Sequence, residues 1–589
     1  MTLAVDLRTA SVAAEWLTSR TFTFRVEDRE KPLSNTFVFH PNGFVVGYHH
    51  ANESYWELDA GGVNILSHNG ITTCRMELAF SETGKPYLTG TFISPLPGHD
   101  VPGNRHFLFE NDSDYHAGIQ SFDVFDTLVA RRCFNPLAVF VKVEGKLGIA
   151  GFATRRHHVE MSIFGRRSYG LDDIYDMLVA EGSLTERQAK VAKLVELEEE
   201  WETLMPIRQV IAFVNPHDII ISDMYLPRSF IEKVLREKCG LQNKLYLSNY
   251  GKHHRTIWPG IKEEYKLRAH FGDNPHADIS SPAAFGIPGN LVTISKWDKT
   301  EEILHSAGLA PYAHAVRELR LQTFHRDVAV RNALFGQISL NIPLMILGAF
   351  WVRHLAADCG ADRIMTASRD CNLFYELLSC DHFVRQGMPP ASYVRISRTL
   401  CYSATEEYEA YLRSHFGRKT LLVDFVGTGR SLNHIVDHLD LRDQVKPCIL
   451  VAEDPENVPG IPKMDALVYR DFFAYRIFIE ALNASLEGSA VGTSVQDHLV
   501  TIEAQPNEYD EKMRRTIAEM RTAFFQFLPI LNKVEPMQAG PSLELVQAAA
   551  GAMMGLLPRN ALRLLSLAEA QGRNLRRGVA VVGAPAASV

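Results

Sequence analysis

Three aspartates and a serine sit where short apolar runs end: Asp123 in SFDVFDT, Ser222 in DIIISD, and Asp273 with Asp278 in HFGDNPHAD. Carboxylates and a hydroxyl are residue types that phosphoryl transfer uses, because it takes an in-line nucleophile and a cation that neutralises charge on the transferring oxygens. Between Ser121 and Lys296 these runs, with KLYLSN and NLVTISK, alternate with helical stretches. Such alternation predicts a parallel sheet. Ligands of these sheets gather at the carboxyl ends of the strands, so Asp123, Ser222, Ser248 and Asp273 are expected along one edge.

A chain of 589 residues is too long for one hydrophobic core and predicts three or four domains. β-branched and aromatic residues broken by turn signals predict a small antiparallel β domain within 1–115. An α/β domain at 116–310 is expected to carry the aspartates, with an inserted helical cap at about 135–212, where LDDIYDMLVAEG and RQAKVAKLVELEEEWETLM have helical periodicity. A second α/β domain is expected at 325–500, with strand candidates RIMTAS, SYVRIS, TLLVDF, PCILVA and ALVYRDFF. Helices and a frayed tail are expected over 501–589.

Taken singly, an Asp after a strand is as well explained by a helix cap, and Ser222-Asp223 by a turn. As an ordered set, SFDVFDTLV, IIISDMYLP and HFGDNPHADISSPAAFGI resemble three motifs of the haloacid dehalogenase superfamily. With YRIFIEALNASLEGSAVG they look like bacterial predicted hydrolases often associated with surface-polysaccharide genes. The resemblance implies a Rossmann-like core with a cap. It implies Asp123 as a nucleophile that forms an aspartyl phosphate, and Ser222 as a hydrogen-bond donor to a phosphate oxygen. It also implies Lys252, chosen over Arg255 in GKHHRTIW, as the cation beside the nucleophile. Magnesium would be held by Asp123, the Phe125 carbonyl, Asp273 and Asp278. The family's usual general acid, two residues after the nucleophile, is Phe125 here, and Asp126 is one position off register. That substitution implies a leaving group that needs no proton, such as an acyl phosphate, whereas the retained metal carboxylates favour phosphoryl over halide chemistry.

LLVDFVGTGRS, from Leu421 to Ser431, resembles the phosphoribosyl-pyrophosphate loop of phosphoribosyltransferases. Asp424, Thr428, Gly429 and Ser431 match it, and a helix amino terminus with adjacent hydroxyls can hold a phosphate. Val423 stands where a second acid is common. Ordinary strand-to-helix caps explain the loop equally well. Three functions therefore stand side by side: a phosphohydrolase or phosphotransferase acting on a small phosphorylated metabolite, a phosphoribosyl-pyrophosphate or nucleotide-binding module, and a non-catalytic assembly protein.

The net charge of −8 argues against a nucleic-acid partner. Eight cysteines without C-x-x-C spacing read as reduced thiols. No secretory pattern opens the chain, and the apolar run IPLMILGAFWV is too short to span a bilayer, so a cytoplasmic protein without a membrane span is expected. Tyr48, Tyr55 and Trp56 are read as core aromatics ahead of a glycan-binding face. Adjacent pairs such as His49-His50 make poor joint metal ligands, so no zinc is expected.

Overall fold

Alternating apolar residues, as in TFTFRV of Thr21–Val26, bury one face of an eight-stranded antiparallel sheet in which that strand pairs with Arg105–Asn111. A backbone bridge between Phe44 and Tyr55 joins the sheet's two outer strands, with Trp56 N donating to Gly43 O at 2.9 Å. The bridge relieves the unpaired-edge problem of an open sheet. Phe22, Phe24, Phe37, Phe39 and Trp56 fill the interior. Trp56 donates its indole N–H to His40 O at 2.8 Å, so it belongs to the core and to no exposed face.

The protein, seen here as a computed structural model, is described within residues 10–572 apart from short stretches, the longest being 94–102 and 112–117. The boundary expected near 115, the opening nine residues, His49 and the tail lie outside the described residues. Residues up to Trp297, with Leu321–Val328, form one compact unit; Asp298–Arg320 and the chain from Ala329 form another.

The first unit also holds a five-stranded parallel sheet. Its order is Leu245–Ser248, Ile219–Asp223, Ile119–Phe122, Leu267–Gly272, Gly289–Leu291. Strands covered on both faces read as near-continuous apolar runs, which is why IIIS and AHF stand out in the sequence. Just after the central strand, Val129–Arg131 pairs antiparallel with Leu204–Pro206. Four helices between these strands, Leu137–Leu147, Phe152–Ile163, Leu171–Ala180 and Glu186–Thr203, make up the insertion. The last of them opens on a capping box, with Thr185 Oγ1 accepting from Gln188 N.

The second unit carries another five-stranded parallel sheet, ordered Ala391–Val394, Arg363–Ala367, Thr420–Gly427, Val445–Glu453, Asp465–Arg470. All five strand candidates of this region are strands, so the fold is mixed α/β with two parallel sheets. Residues 328–359 make one helix long and apolar enough to cross a membrane, but 94% of its most apolar stretch is buried inside the protein. It ends at Gly360, whose φ of 68° an L side chain rarely adopts.

Candidate functional site

The three central strands of the first parallel sheet end side by side. Their carboxyl ends deliver Asp123, Ser222 with Asp223, and Asp273 to a cavity of about 250 Å³. Phe125, Lys252 and Asp278 line the same cavity, whereas Ser248, expected on the same edge, is not among its lining residues and accepts instead from Tyr250 N and Gly251 N.

Each is held by a local device. The Asp123 amide donates to Phe271 O at 2.8 Å, which ties the end of the central strand to its neighbour. Lys252 lies on the loop after Leu245–Ser248. That loop is shaped by the Asp223 carboxylate, which accepts from Lys252 N at 2.9 Å and His253 N at 3.0 Å. Asp278 sits on a helical turn capped by Asn274, whose Oδ1 accepts from His276 N and Ala277 N. Its carboxylate accepts from Asn274 N at 3.0 Å and packs onto Gly272, where a Cβ would lie 2.2 Å from Asp278 Cγ. Only glycine leaves room for that approach.

One cation serves two carboxylates. Lys252, 3% exposed, donates from Nζ to Asp123 Oδ1 and to Asp278 Oδ1, the latter at 2.6 Å. Buried His270 contacts Asp278 Oδ1 through Nε2 at 3.1 Å and Ser121 Oγ through Nδ1 at 2.8 Å. Burial holds its pKa below the usual value, so the ring is neutral, donating from Nε2 and accepting at Nδ1. Burial works against ionising Asp278, but Lys252 and His270 outweigh it and hold its pKa low. Burial pushes Asp123 well above the usual carboxylate range; Lys252 opposes this and Asp278 adds to it. Burial, Asp126 and Asp278 push Asp273 up to about 7.

Oxygens of Asp123, Asp273 and Asp278 all lie within 4.8 Å of one another. With all three ionised and one lysine among them, the cluster is two negative charges in excess. An all-oxygen donor set with that deficit fits a hard divalent cation. Ser222, 1% exposed, lines the same cavity, and its hydroxyl has no hydrogen-bond partner among the described residues. An orphaned buried hydroxyl of this kind suits an oxygen-rich ligand.

Asp273 gives this electrostatic arrangement a pH signature. Its folded pKa of about 7 lies above the ordinary carboxylate value of 3.8, so the cation-free protein loses stability as pH rises between those two values. A cation that binds the ionised form restores what was lost. Mg2+ is therefore expected to raise the thermal midpoint by a few degrees at pH 8 and hardly at all at pH 5; equal shifts at both pH values would contradict the arrangement.

Phe125 carries no acid to the cavity. Its ring lies 5.2 Å from the Arg131 guanidinium, which grips Glu200 through bonds of 2.9 and 2.8 Å. Asp126 beside it takes a left-handed φ of 55°. A larger cavity of about 540 Å³ in the same unit is lined by Phe44, Tyr48, Tyr55 and Phe213 and, among the described residues, has no Lys or Arg in its wall.

Asp424, Thr428, Gly429 and Ser431 belong to the second unit. Asp424 lies inside the Thr420–Gly427 strand, three residues before its end, and the other three run from the following turn into the helix Arg430–His438. Gly429 caps that helix with φ 72°, and a Cβ there would lie 1.8 Å from Met464 Sδ. Burial and the charge of Glu480 push Asp424 up to about 7, while its Oδ1 accepts from Phe425 N at 2.8 Å. Asp370, after the neighbouring strand, is raised by burial, Glu480 and Asp424. Ser368 Oγ donates to Ile396 O at 2.9 Å and accepts from Ile396 N, a strand-bridging use.

Asp223, His270 and Gly272 join the site without a sequence signal that assigns them to it. Asp223 lies inside the IIISDMYLP motif, but its two backbone partners are far along the chain, and nothing local marks them. Comparison with protein-family models and with curated proteins finds no match to this chain.

Proposed function

We propose that the first parallel sheet and its helical insertion form a magnesium-dependent phosphohydrolase or phosphotransferase of haloacid dehalogenase type, acting on a small phosphorylated metabolite. The observation that carries this reading is the convergence of Asp123, Asp273, Asp278, Lys252 and the unpartnered Ser222 hydroxyl on one small cavity. The strand order and an insertion just after the central strand support it.

Asp123 is the nucleophile: a carboxylate oxygen attacks phosphorus and the bond to the leaving oxygen breaks, giving an aspartyl phosphate. Lys252 orients that carboxylate and offers positive charge to the incoming phosphate. Ser222 donates to a phosphate oxygen. Asp123, Asp273, Asp278 and the Phe125 carbonyl would hold Mg2+, which when bound neutralises charge on the transferring group. The cavity of about 250 Å³, walled partly by the insertion, has room for a small metabolite. Phosphate release by the purified protein from sugar phosphates, nucleotides and acyl phosphates, with and without Mg2+, tests the reading. Metal-dependent turnover supports it; no release from any of them removes it and leaves the Asp424 loop or assembly as the function to pursue.

A second reading rests on the second unit. Parallel pairing of Arg363–Ala367 with Thr420–Gly427 brings the 368–370 and 428–431 turns together where the strand order reverses, and such crevices bind ligands in open α/β sheets. Binding of phosphoribosyl pyrophosphate, lost on Asp424→Ala, is the expected result if this crevice is the working site. Calorimetry without a heat signal would dismiss it.

A further inference from the structure

Phe125 brings no acid to the leaving oxygen, and Asp126 beside it, also on the cavity wall, sets its charge against Asp273; the inserted helices bring a further carboxyl. Glu160, on Phe152–Ile163, lines the cavity that holds Asp123 and Lys252. Among the described residues it is the one carboxyl that the insertion contributes to that wall, beside Phe164, Gly165 and Tyr169.

Its surroundings favour the protonated form. Arg156 is wholly buried and serves two carboxylates. Its Nε and Nη2 donate to Glu196 at 2.9 and 2.7 Å, and Tyr175 OH adds a third bond to Glu196 at 2.8 Å. Among the described residues Glu160 receives a single bond, from Arg156 Nη1 to Oε2 at 2.9 Å. Two carboxylates on one buried guanidinium leave one negative charge in excess, and the less well bonded carboxylate takes a proton most readily. Burial holds Glu160 above the usual range; Arg156 opposes this, Glu196 adds to it, and His157 lowers it slightly. Tyr169 and Tyr225 are also on the cavity wall, and each is raised by burial with the charge of Glu160 adding to it.

We propose that Glu160 is the general acid of this site, doing from the insertion what the residue at 125 cannot, and that the substrates therefore include phosphomonoesters of ordinary alcohols. This rests on the phosphohydrolase reading. As the Asp123–phosphorus bond forms and the phosphorus–oxygen bond to the alcohol breaks, the Glu160 proton passes to the alkoxide and the alcohol leaves. Water then attacks phosphorus and releases a proton to solvent, and the Glu160 carboxylate regains its proton from solvent. The phosphorus–Asp123 bond breaks, phosphate departs, and both carboxyl groups return to their starting forms. The overall change is ester plus water to alcohol plus phosphate.

The test compares two small probes with the full chain and Mg2+: glycerol 2-phosphate, whose leaving group needs a proton, and acetyl phosphate, whose leaving group does not. Glu160→Gln is expected to lower kcat on glycerol 2-phosphate about 10²-fold or more and to leave acetyl phosphate turnover within about threefold. For the unaltered chain, the glycerol 2-phosphate rate should fall as pH rises through the Glu160 ionisation, a limb absent from Glu160→Gln. Retained acetyl phosphate turnover reports that the variant is folded, and Glu160→Asp should recover part of the loss. Equal losses on both probes, or the selective loss appearing with Asp126→Asn instead, overturn the proposal. Turnover of acetyl phosphate but not glycerol 2-phosphate by the unaltered chain defeats this inference alone; turnover of neither defeats the phosphohydrolase reading beneath it.

Discussion

Phosphate release is expected to fall by about 10³-fold or more in Asp123→Asn, because an amide oxygen is a poor nucleophile. Asp273 and Asp278 are nearby, but Asp278 is already held by Lys252, His270 and the Asn274 amide. The same change should cost little stability. Burial and neighbouring acids hold Asp123 well above the usual carboxylate range, so its ionised form is a burden on the folded state that asparagine removes. Activity lost with the fold intact is therefore the expected combination, measured by phosphate release beside thermal unfolding. A variant that keeps a tenth of the activity would move the nucleophile elsewhere.

Lys252→Met is expected to have the largest effect on stability. The ammonium is buried and bonded to two buried carboxylates, and the methionine side chain fills similar space without charge. Breaking a buried ion pair from one side costs about 3–5 kcal/mol, since the orphaned charges stay out of water. The penalty should shrink toward pH 5, where Asp123 and Asp273, both with raised pKa values, take up protons. Mg2+ should restore part of it at pH 8 by supplying charge to the same carboxylates. Urea unfolding at both pH values measures the effect; a loss below about 1 kcal/mol, the scale of a surface pair, would show that Lys252 does not hold the cluster together.

Much of this arrangement is legible in the amino-acid sequence because parallel strands covered on both faces leave apolar runs, and the candidate functional residues sit at their ends. IIISD and AHFGD announce both a strand and a candidate site in a few letters. Residues that act through contacts distant in sequence stay hidden. Asp223 matters because it accepts two amides 29 and 30 residues away, and His270 because Ser121 Oγ orients it from 149 residues away. Glu160 belongs to no motif: it reaches the cavity only through the packing of the insertion, and its electrostatics depend on Glu196 across the helix bundle. The joining of the β-sheet's edges through Phe44 and Tyr55 is equally silent, since two bridging residues leave no periodicity. Trp56 reads as an exposed aromatic or a core one with the same letters, and only the His40 hydrogen bond decides for the core.

The central claim, that phosphate passes through Asp123, is tested most directly by acid-quenching the protein during turnover of acetyl phosphate and locating the phosphoryl group by mass spectrometry. The expected result is a phosphorylated peptide containing Asp123, formed only with Mg2+ and absent from Asp123→Asn. Phosphate release with Asp123 unmodified, or with the phosphoryl group on another residue, would contradict it.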